Sequence, residues 1–442
     1  MQEISRNQKA QNIRSVIRYL QKFKNTLIVI YLDDEVINSP LFSSHIRDIA
    51  LIHQAGLKVI IVPGSKKRID QVLTDFNISW KYQNNIRITD EQAMPLIKMA
   101  AFDISNIIMT SLAENHITAT IGNWVKARAI GVVNGTDFST AGEIEKLNTN
   151  AINSVLENQF IPIFPCIGWS STGKPYNISS ISLAEQIAIS LKAEKLFFVM
   201  MNAQINSSNF KIPKNIGLSD ELEIPAMNLE ELNLFFTENA DSKNEKLLSL
   251  LKFASNACKN GVTRSHIING SLDGAIPCEI FSDLGSGTMI YSNNYGKIRQ
   301  MTQQDIPAVL SLMQPFVEKQ ILLPRTYENL LENVSDYIVY EIDGGIRACA
   351  ALHNYNNKQA EILGVAVDIS FSNLGIGPNL IKFLIQKTKS LKISTIFILT
   401  TKTSDWFESL GFKPDSLDSI PQERKALWTP ERNSKVFRLN LK

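Results

Sequence analysis

Cysteine is scarce and scattered in this 442-residue chain: Cys166, Cys258, Cys278 and Cys349 lie far apart, with no C-x-x-C pair. That excludes a disulfide framework and a thiolate zinc cage, and suits a reducing compartment where thiols serve as small apolar residues. Histidine is equally thin. His45, His53, His116, His266 and His353 show no metal-ligand spacing, so no metal is expected. Charge of neither sign is in excess, with 45 Lys+Arg against 43 Asp+Glu, so nothing draws the chain toward nucleic acid or a membrane surface. No apolar run reaches the ~18 residues that cross a bilayer. The basic opening "MQEISRNQKAQNIRSVIRYLQKFKN" lacks the apolar core of a signal peptide. A cytoplasmic protein is expected. Repeats and low-complexity segments are absent too.

What is present is an alternation of strands and helices. Ile13, Val16, Ile17, Leu20 and Phe23 recur at three- and four-residue spacing, which predicts an amphipathic leading helix. "TLIVIYL", "SSHIRDIALIHQAG" and "KVIIVPG" then read as strand, helix, strand. "RAIGVV", "FIPIFPC", the helix "LAEQIAISLKA", "KLFFVM" and "SHIING" continue the pattern, so a parallel sheet covered on both faces is expected. A polar, turn-rich break falls at residues 290–305. Beyond it a helix (306–319) precedes the strands "DYIVYEID", "GIRACAALHNY" and "QAEILGVAVD". A glycine turn, the helix "PNLIKFLIQKTKSL", the strand "STIFILT", the helix "SDWFESLG" and a last strand "SKVFRLNL" follow. Two domains are expected, 1–292 and 298–442, the first α/β and the second α+β.

The most informative stretch is "EILGVAVDISFSNLGIGPNL". A strand runs into Gly375-x-Gly377, and a helix is expected to open at Pro378. Glycines there let backbone N–H groups meet phosphate oxygens, aided by the positive end of the helix dipole. By themselves these residues also fit a plain strand-to-helix turn. The stretch resembles the acetyl-CoA motif of the GCN5-related N-acetyltransferases, with Ser372 where that family carries Arg or Gln. The resemblance covers 298–442 and implies acetyl-CoA as co-substrate, held by Val365, Val367, Ser372, Gly375, Ile376 and Gly377. "VAV", "LTT", "WFESLGF" and "RNSKVFRLNL" narrow it to the bacterial N-acetylglutamate synthases. That family acetylates the α-amine of L-glutamate. The resemblance makes Glu361 the general base and Arg325 and Arg432 the carboxylate clamps, with Ser434 beside the departing thiolate. Such groups suit the task, because guanidinium forks hold carboxylates and an ammonium must lose a proton before it attacks. Strand alternation predicts that Glu361, Leu363, Val365 and Val367 share one side, and that Arg432 and Ser434 share another. Read without the resemblance, Glu361 is a solvated strand residue, and Arg325 and Arg432 are surface.

Residues 10–292 resemble the amino acid kinase fold, through "KVIIVPGSKKRIDQVL", "NNIRITDEQAM" (Arg87, Thr89, Asp90), "LKAEKLFFV" and "GVTRSHIINGSLDGAIPCEIFSDLGSGTMI". The fold expected for the whole chain is an amino acid kinase-like parallel-sheet sandwich followed by an α+β acetyltransferase domain. In a working kinase the first strand ends in Lys-x-Gly-Gly. Here Tyr31 replaces the lysine, and Asp33 and Asp34 replace the glycines. Each carboxylate repels a polyphosphate by roughly 1–4 kcal/mol at ~4 Å, so an abandoned phosphoryl site is expected. In arginine-sensitive relatives the effector binds beside the leading helix, which also builds oligomers. Tyr19, Glu279, Gly285 and Gly287 match that pocket, so L-arginine is expected as effector and a homo-oligomer, a hexamer by resemblance, as the assembly. Packing of the fold is the competing reading for these four. Three functions are weighed: an acetyl-CoA:L-glutamate N-acetyltransferase opening arginine synthesis, a kinase, and a non-catalytic sensor. Drift at Ser372, Asp33, Asp34 and Asp405 speaks for the sensor, and retention of Glu361, Arg432 and Ser434 against it.

Overall fold

The computed structural model describes residues 6–83, 86–213, 216–219, 221–281, 285–292, 296–342, 344–355, 358–372 and 375–441. Asn84 and Asn85, Asp283 and Leu284, and Asn373 and Leu374, all within the motifs above, lie outside the described residues. The chain forms two units, Met1–Ser292 and Asn293–Lys442.

In the first unit the main sheet uses β1 (Leu27–Leu32), β2 (Lys58–Pro63), β3 (Ala119–Ile121), β4 (Ile161–Ile163), β5 (Lys195–Met200), β6 (Ala226–Asn228), β7 (Arg264–Asn269) and β8 (Thr288–Tyr291). Their order is β6-β8-β7-β5-β1-β2-β4-β3, parallel throughout except where β8 runs against β7. Alternation sorts the apolar strand residues between two cores. Ile28, Ile30 and Leu32 pack with α1 (Arg6–Phe23), α2 (Phe42–Gln54) and the later part of α4 (Met94–Glu114). Val29 and Tyr31 pack with α5 (Ser180–Ser190) and α6 (Glu245–Lys259). Each such fully buried aliphatic chain contributes ~1.5–3 kcal/mol. Between β2 and α4, helix α3 (Lys66–Asp75) follows the glycine loop, and α7 (Ala275–Phe281) follows β7.

Two expectations change here. "RAIGVV" is no strand of the parallel sheet: Val125–Ala129 joins a separate four-stranded sheet, and Val132–Val133 forms a small hairpin with Thr136–Asp137. One described helix, α4, is apolar enough on average and, at 21 residues, long enough to cross a membrane. Its Ile97, Ala100, Ile104, Ile108 and Leu112 are buried within the fold.

The second unit is a seven-stranded sheet of β9 (Gly296–Gln300), β10 (Tyr337–Ile342), β11 (Gly345–Tyr355), β12 (Gln359–Val367), β13 (Thr395–Thr400), β14 (Lys413–Asp415) and β15 (Lys435–Asn440), in the order β9-β10-β11-β12-β13-β15-β14. Strand β9 lies in the stretch expected to be only a break. Helix α8 (Ile306–Glu318) covers one face with Val309 and Met313, and α9 (Ile376–Ser390) covers the other with Leu380, Ile381 and Leu384. All neighbours are antiparallel except β12 and β13. That parallel pair sets the site.

Candidate active site and effector site

Strands β12 and β13 pair only over Gln359–Glu361 and Thr395–Phe397. Beyond Glu361 no pairing between them occurs among the described residues, although β12 still pairs with β11 and β13 with β15. The sheet therefore forks, and the edge of β12 facing the fork keeps unpaired backbone groups that a pantetheine-like arm can use. A bulge sharpens the fork. Cys349 faces Ala366 and Ala351 faces Leu363, so β12 carries one extra residue, and Gly364 sits there at φ +62°.

That extra residue overturns the expected alternation. Glu361 and Leu363 stay on the α8 side, but Val365 and Val367 pack with the α9 core. Val365 and Val367 thus present backbone rather than side chains at the fork's edge. Past β12, Asp368 pairs with Arg347 at 3.3 Å, and the Arg347 guanidinium lies over the Phe371 ring. Helix α9 starts at Ile376, two residues before the expected Pro378. Its N-cap is Gly375, at φ +68°, and among the described residues no side chain accepts from the first-turn N–H groups of Ile376 and Gly377. That is the local form of an anion site. The Ser372 hydroxyl donates to the Ile369 carbonyl at 2.8 Å, which closes its own turn.

Glu361 stands at the apex of the fork, opposite His353 on β11 and Phe397 on β13. It is 3% exposed, so it is no solvated strand residue. Both its oxygens accept from Arg424 Nε, at 3.0 and 2.8 Å, and Oε2 accepts from the Tyr355 hydroxyl at 3.0 Å. Burial, then the nearby Glu361 charge, pushes the Tyr355 phenol well above its ordinary range, so it stays a donor. Arg424 comes from α10 (Gln422–Lys425), in the excursion from Ser416 to Ser434 that covers this sheet face with Leu417 and Ile420.

Two other predicted site residues, Arg325 and Arg432, lie within electrostatic reach of Arg424 or of each other. Arg432 donates to the Ile321 carbonyl at 2.8 Å, and burial, then the charges of Arg325 and Arg424, lowers its guanidinium. Arg325 lies close enough to Tyr337 for its charge to oppose the rise that burial gives that phenol. Neither Arg325 nor Arg432 has an ion-pair partner among the described residues, and of the three guanidiniums only Arg424 pairs with Glu361. Ser434 is buried, and its carbonyl accepts from Trp428 Nε1 at 3.0 Å. The expected shared strand face of Arg432 and Ser434 does not form, because β15 begins at Lys435 and Asn433 has φ +46°. Sequence reasoning missed Arg424 and Tyr355. Nothing in "PQERKALW" marks Arg424, whose partner lies 63 positions away.

In the first unit the residues expected to hold an effector include two deeply buried ones, Tyr19 and Glu279. Glu279 on α7 is buried, not on the surface, and accepts from the Ser286 and Gly287 N–H groups, the latter at 2.7 Å, and pairs with His266 Nδ1. Burial raises the Glu279 pKa, but His266, Ser286 and Lys195 more than offset it, and the net direction is down. Burial depresses the His266 imidazole to about 4 despite Glu279. Gly285 and Gly287 leave the room this needs: a Cβ on Gly287 would meet the Ile267 carbonyl oxygen at 2.2 Å, and one on Gly285 would strike the Glu279 carboxylate. Tyr19 stacks on Phe23 at 6.0 Å, and Lys195 and Arg264 lie over the other ring of that pair, Phe23. Tyr19 belongs to the core that also holds Ile276 and Ile280 of α7. His266, Lys195 and Arg264 were not picked out from the sequence.

Residues 26–269 match the amino acid kinase family, and residues 305–412 the acetyltransferase (GNAT) family. An amino-acid acetyltransferase of Vibrio vulnificus (strain CMCP6) is 33% identical over 433 residues, 96% of either chain. This chain belongs to the amino-acid acetyltransferase family. It is an acyltransferase with a kinase-like first domain. The crystal structure of N-acetylglutamate synthase from Neisseria gonorrhoeae complexed with coenzyme A and L-arginine matches 98% of this chain and 99% of its own, with TM-score 0.81 and 27% identity. The same synthase complexed with coenzyme A and N-acetyl-glutamate matches with TM-score 0.61 and 28% identity over the same shares.

In this family member the three acids after β1 are filled from within. Asp33 caps the short turn Asp34–Ile37 by accepting from Glu35 N–H, and takes the Tyr31 hydroxyl at 3.2 Å. The Asp34 carboxylate accepts from the Lys67 N–H in the first turn of α3, and Lys67 Nζ pairs with Glu35 at 3.0 Å. An internal anion thus occupies the helix end where a phosphate would dock. Burial, then the Asp33 charge, raises Asp34, while Lys67 N–H opposes them.

Proposed function

We propose that this protein transfers the acetyl group of acetyl-CoA to the α-amine of L-glutamate, the first step of arginine biosynthesis, under feedback control by arginine. The observation that carries the reading is the charge of the site. Arg325, Arg424 and Arg432 feel one another's charge, and among the described residues Arg424 alone of the three pairs with a carboxylate, that of Glu361, beside the fork of β12 and β13. Two carboxylates are needed for balance, and glutamate brings two. The related synthase complexes named above carry coenzyme A with N-acetyl-glutamate or with L-arginine.

In this reading the pyrophosphate rests on the first turn of α9 and the pantetheine arm lies along the free edge of β12. The thioester is thereby held near Glu361. Glu361 takes the ammonium proton, directly or through water, and the amine attacks the carbonyl. Arg325 and Arg432 hold the two carboxylates, and Ser434 stands by the leaving sulfur. Arginine binds at Glu279, whose carboxylate suits a guanidinium, with Tyr19 covering it and Gly285 and Gly287 lending carbonyl oxygens. The enzyme works in the cytoplasm as a homo-oligomer built through α1, which leaves Ile13, Val16 and Ile17 exposed.

The test is CoA release with acetyl-CoA and a panel of amino acids. Glutamate is expected to support release and millimolar arginine to suppress it. Release with no amino acid in the panel would overturn the reading.

A further inference from the structure

Glu361 cannot act as a base in the arrangement seen. Its side chain is 4% exposed, and one guanidinium nitrogen, Arg424 Nε, donates to both of its oxygens while Tyr355 takes a second lone pair on Oε2. A base must reach the proton it removes at ~2.6–3.2 Å or through one water, and Arg424 fills that approach. Arg424 is itself weakly anchored by its own element. Helix α10 is a single turn of four residues. Beside it lies Arg432, a like charge that has no carboxylate among the described residues.

We propose, on the dicarboxylate reading above, that Arg424 is a latch on the base. It holds Glu361 in the substrate-free enzyme, and a substrate carboxylate entering among the three arginines draws it away. Glu361 is thereby released only when a dicarboxylate is in place. Arg424 is a positioning residue acting through Glu361. The benefit is protection of the thioester, because a free carboxylate at the fork activates water as well as an amine. In that side reaction the water oxygen bonds to the acetyl carbon as the carbon–sulfur bond breaks. The water proton passes through Glu361 to the sulfur, and acetate and CoA result. The latch suppresses this reaction until an amine has arrived with its two carboxylates.

The idea is tested on the native protein with glutarate, a dicarboxylate without an amine. Glutarate at concentrations that competitively inhibit glutamate transfer is expected to raise CoA release from acetyl-CoA about tenfold or more over acetyl-CoA alone, part of the ~10²–10⁴-fold a positioned base supplies. R424Q is expected to show the raised hydrolysis without glutarate, R424K to behave as native, and R424Q with E361Q to lose it again. Glutarate that fails to inhibit transfer, or inhibits with no rise in hydrolysis, overturns the latch. So does R424Q with native hydrolysis and only a higher KM for glutamate, which makes Arg424 a plain substrate contact. Failure of the native protein to transfer to glutamate strikes the acetyl-transfer reading itself, and is seen first, in the control.

Discussion

Replacing Gly364 by Ala tests how the fork is made. The bulge places Gly364 at φ +62°, and an added Cβ would lie 3.1 Å from Met313 Cε and 3.3 Å from the Tyr337 ring and hydroxyl. An L-residue in the left-handed region costs ~1–2 kcal/mol. The Met313 methyl can swing aside, but Tyr337 is buried, so crowding adds up to about 1 kcal/mol. Together these are ~1–3 kcal/mol, a fall of roughly 2–10 °C in the unfolding midpoint of a domain this size. Tyr337 lies beside Arg325, so its displacement is expected to raise the KM for glutamate several-fold while kcat changes little. Calorimetry and initial rates check both. A midpoint within 1 °C of native together with an unchanged KM would refute the claim that this glycine locks the bulge and steadies Arg325.

Gly287→Ala has nowhere to put its methyl, which would meet the β7 backbone, so the first unit is expected to lose at least about 2 kcal/mol; a urea midpoint equal to native contradicts this. The His266 imidazole is depressed to about 4 from 6.5, so the unfolded chain binds the extra proton between those values and stability drains away as pH falls from about 6.5 toward 4. Depressed Glu279 acts in the same direction. His266→Gln is expected to flatten that decline in thermal melts at pH 7, 6 and 5, and an unchanged slope argues against it. No ATP-dependent acyl phosphate is expected from N-acetylglutamate, since Asp34 already occupies the end of α3; hydroxamate above background, trapped from the native protein, would show the phosphoryl site alive.

The central strands of both units are legible because they are short apolar runs bounded by turns, and "TLIVIYL" and "KLFFVM" stand where they are expected. Edge strand β9 is not, because "GKIRQ" is half polar and offers no run. The bulge had a signal that went unused: a lone glycine inside "EILGVAV" marks a departure from strict alternation. Glu361 came from resemblance to a family, since spacing alone favoured a solvated residue. What shields it is tertiary. Tyr355 lies across a hairpin and Arg424 on a later excursion, and no local pattern ties either to Glu361. Asp33 and Asp34 mark an abandoned phosphate site in the sequence, but the helix end that Asp34 fills, at the Lys67 N–H, lies 33 positions on.

The most direct test of the account is Glu361→Gln, assayed by CoA release with saturating L-glutamate and by acetyl-CoA binding. Glutamine keeps the size and hydrogen-bonding reach of the side chain but cannot take the proton. The account predicts a ~10²–10⁴-fold fall in kcat with acetyl-CoA affinity within about twofold of native. A variant that keeps more than about half the native rate would contradict it and place the base elsewhere.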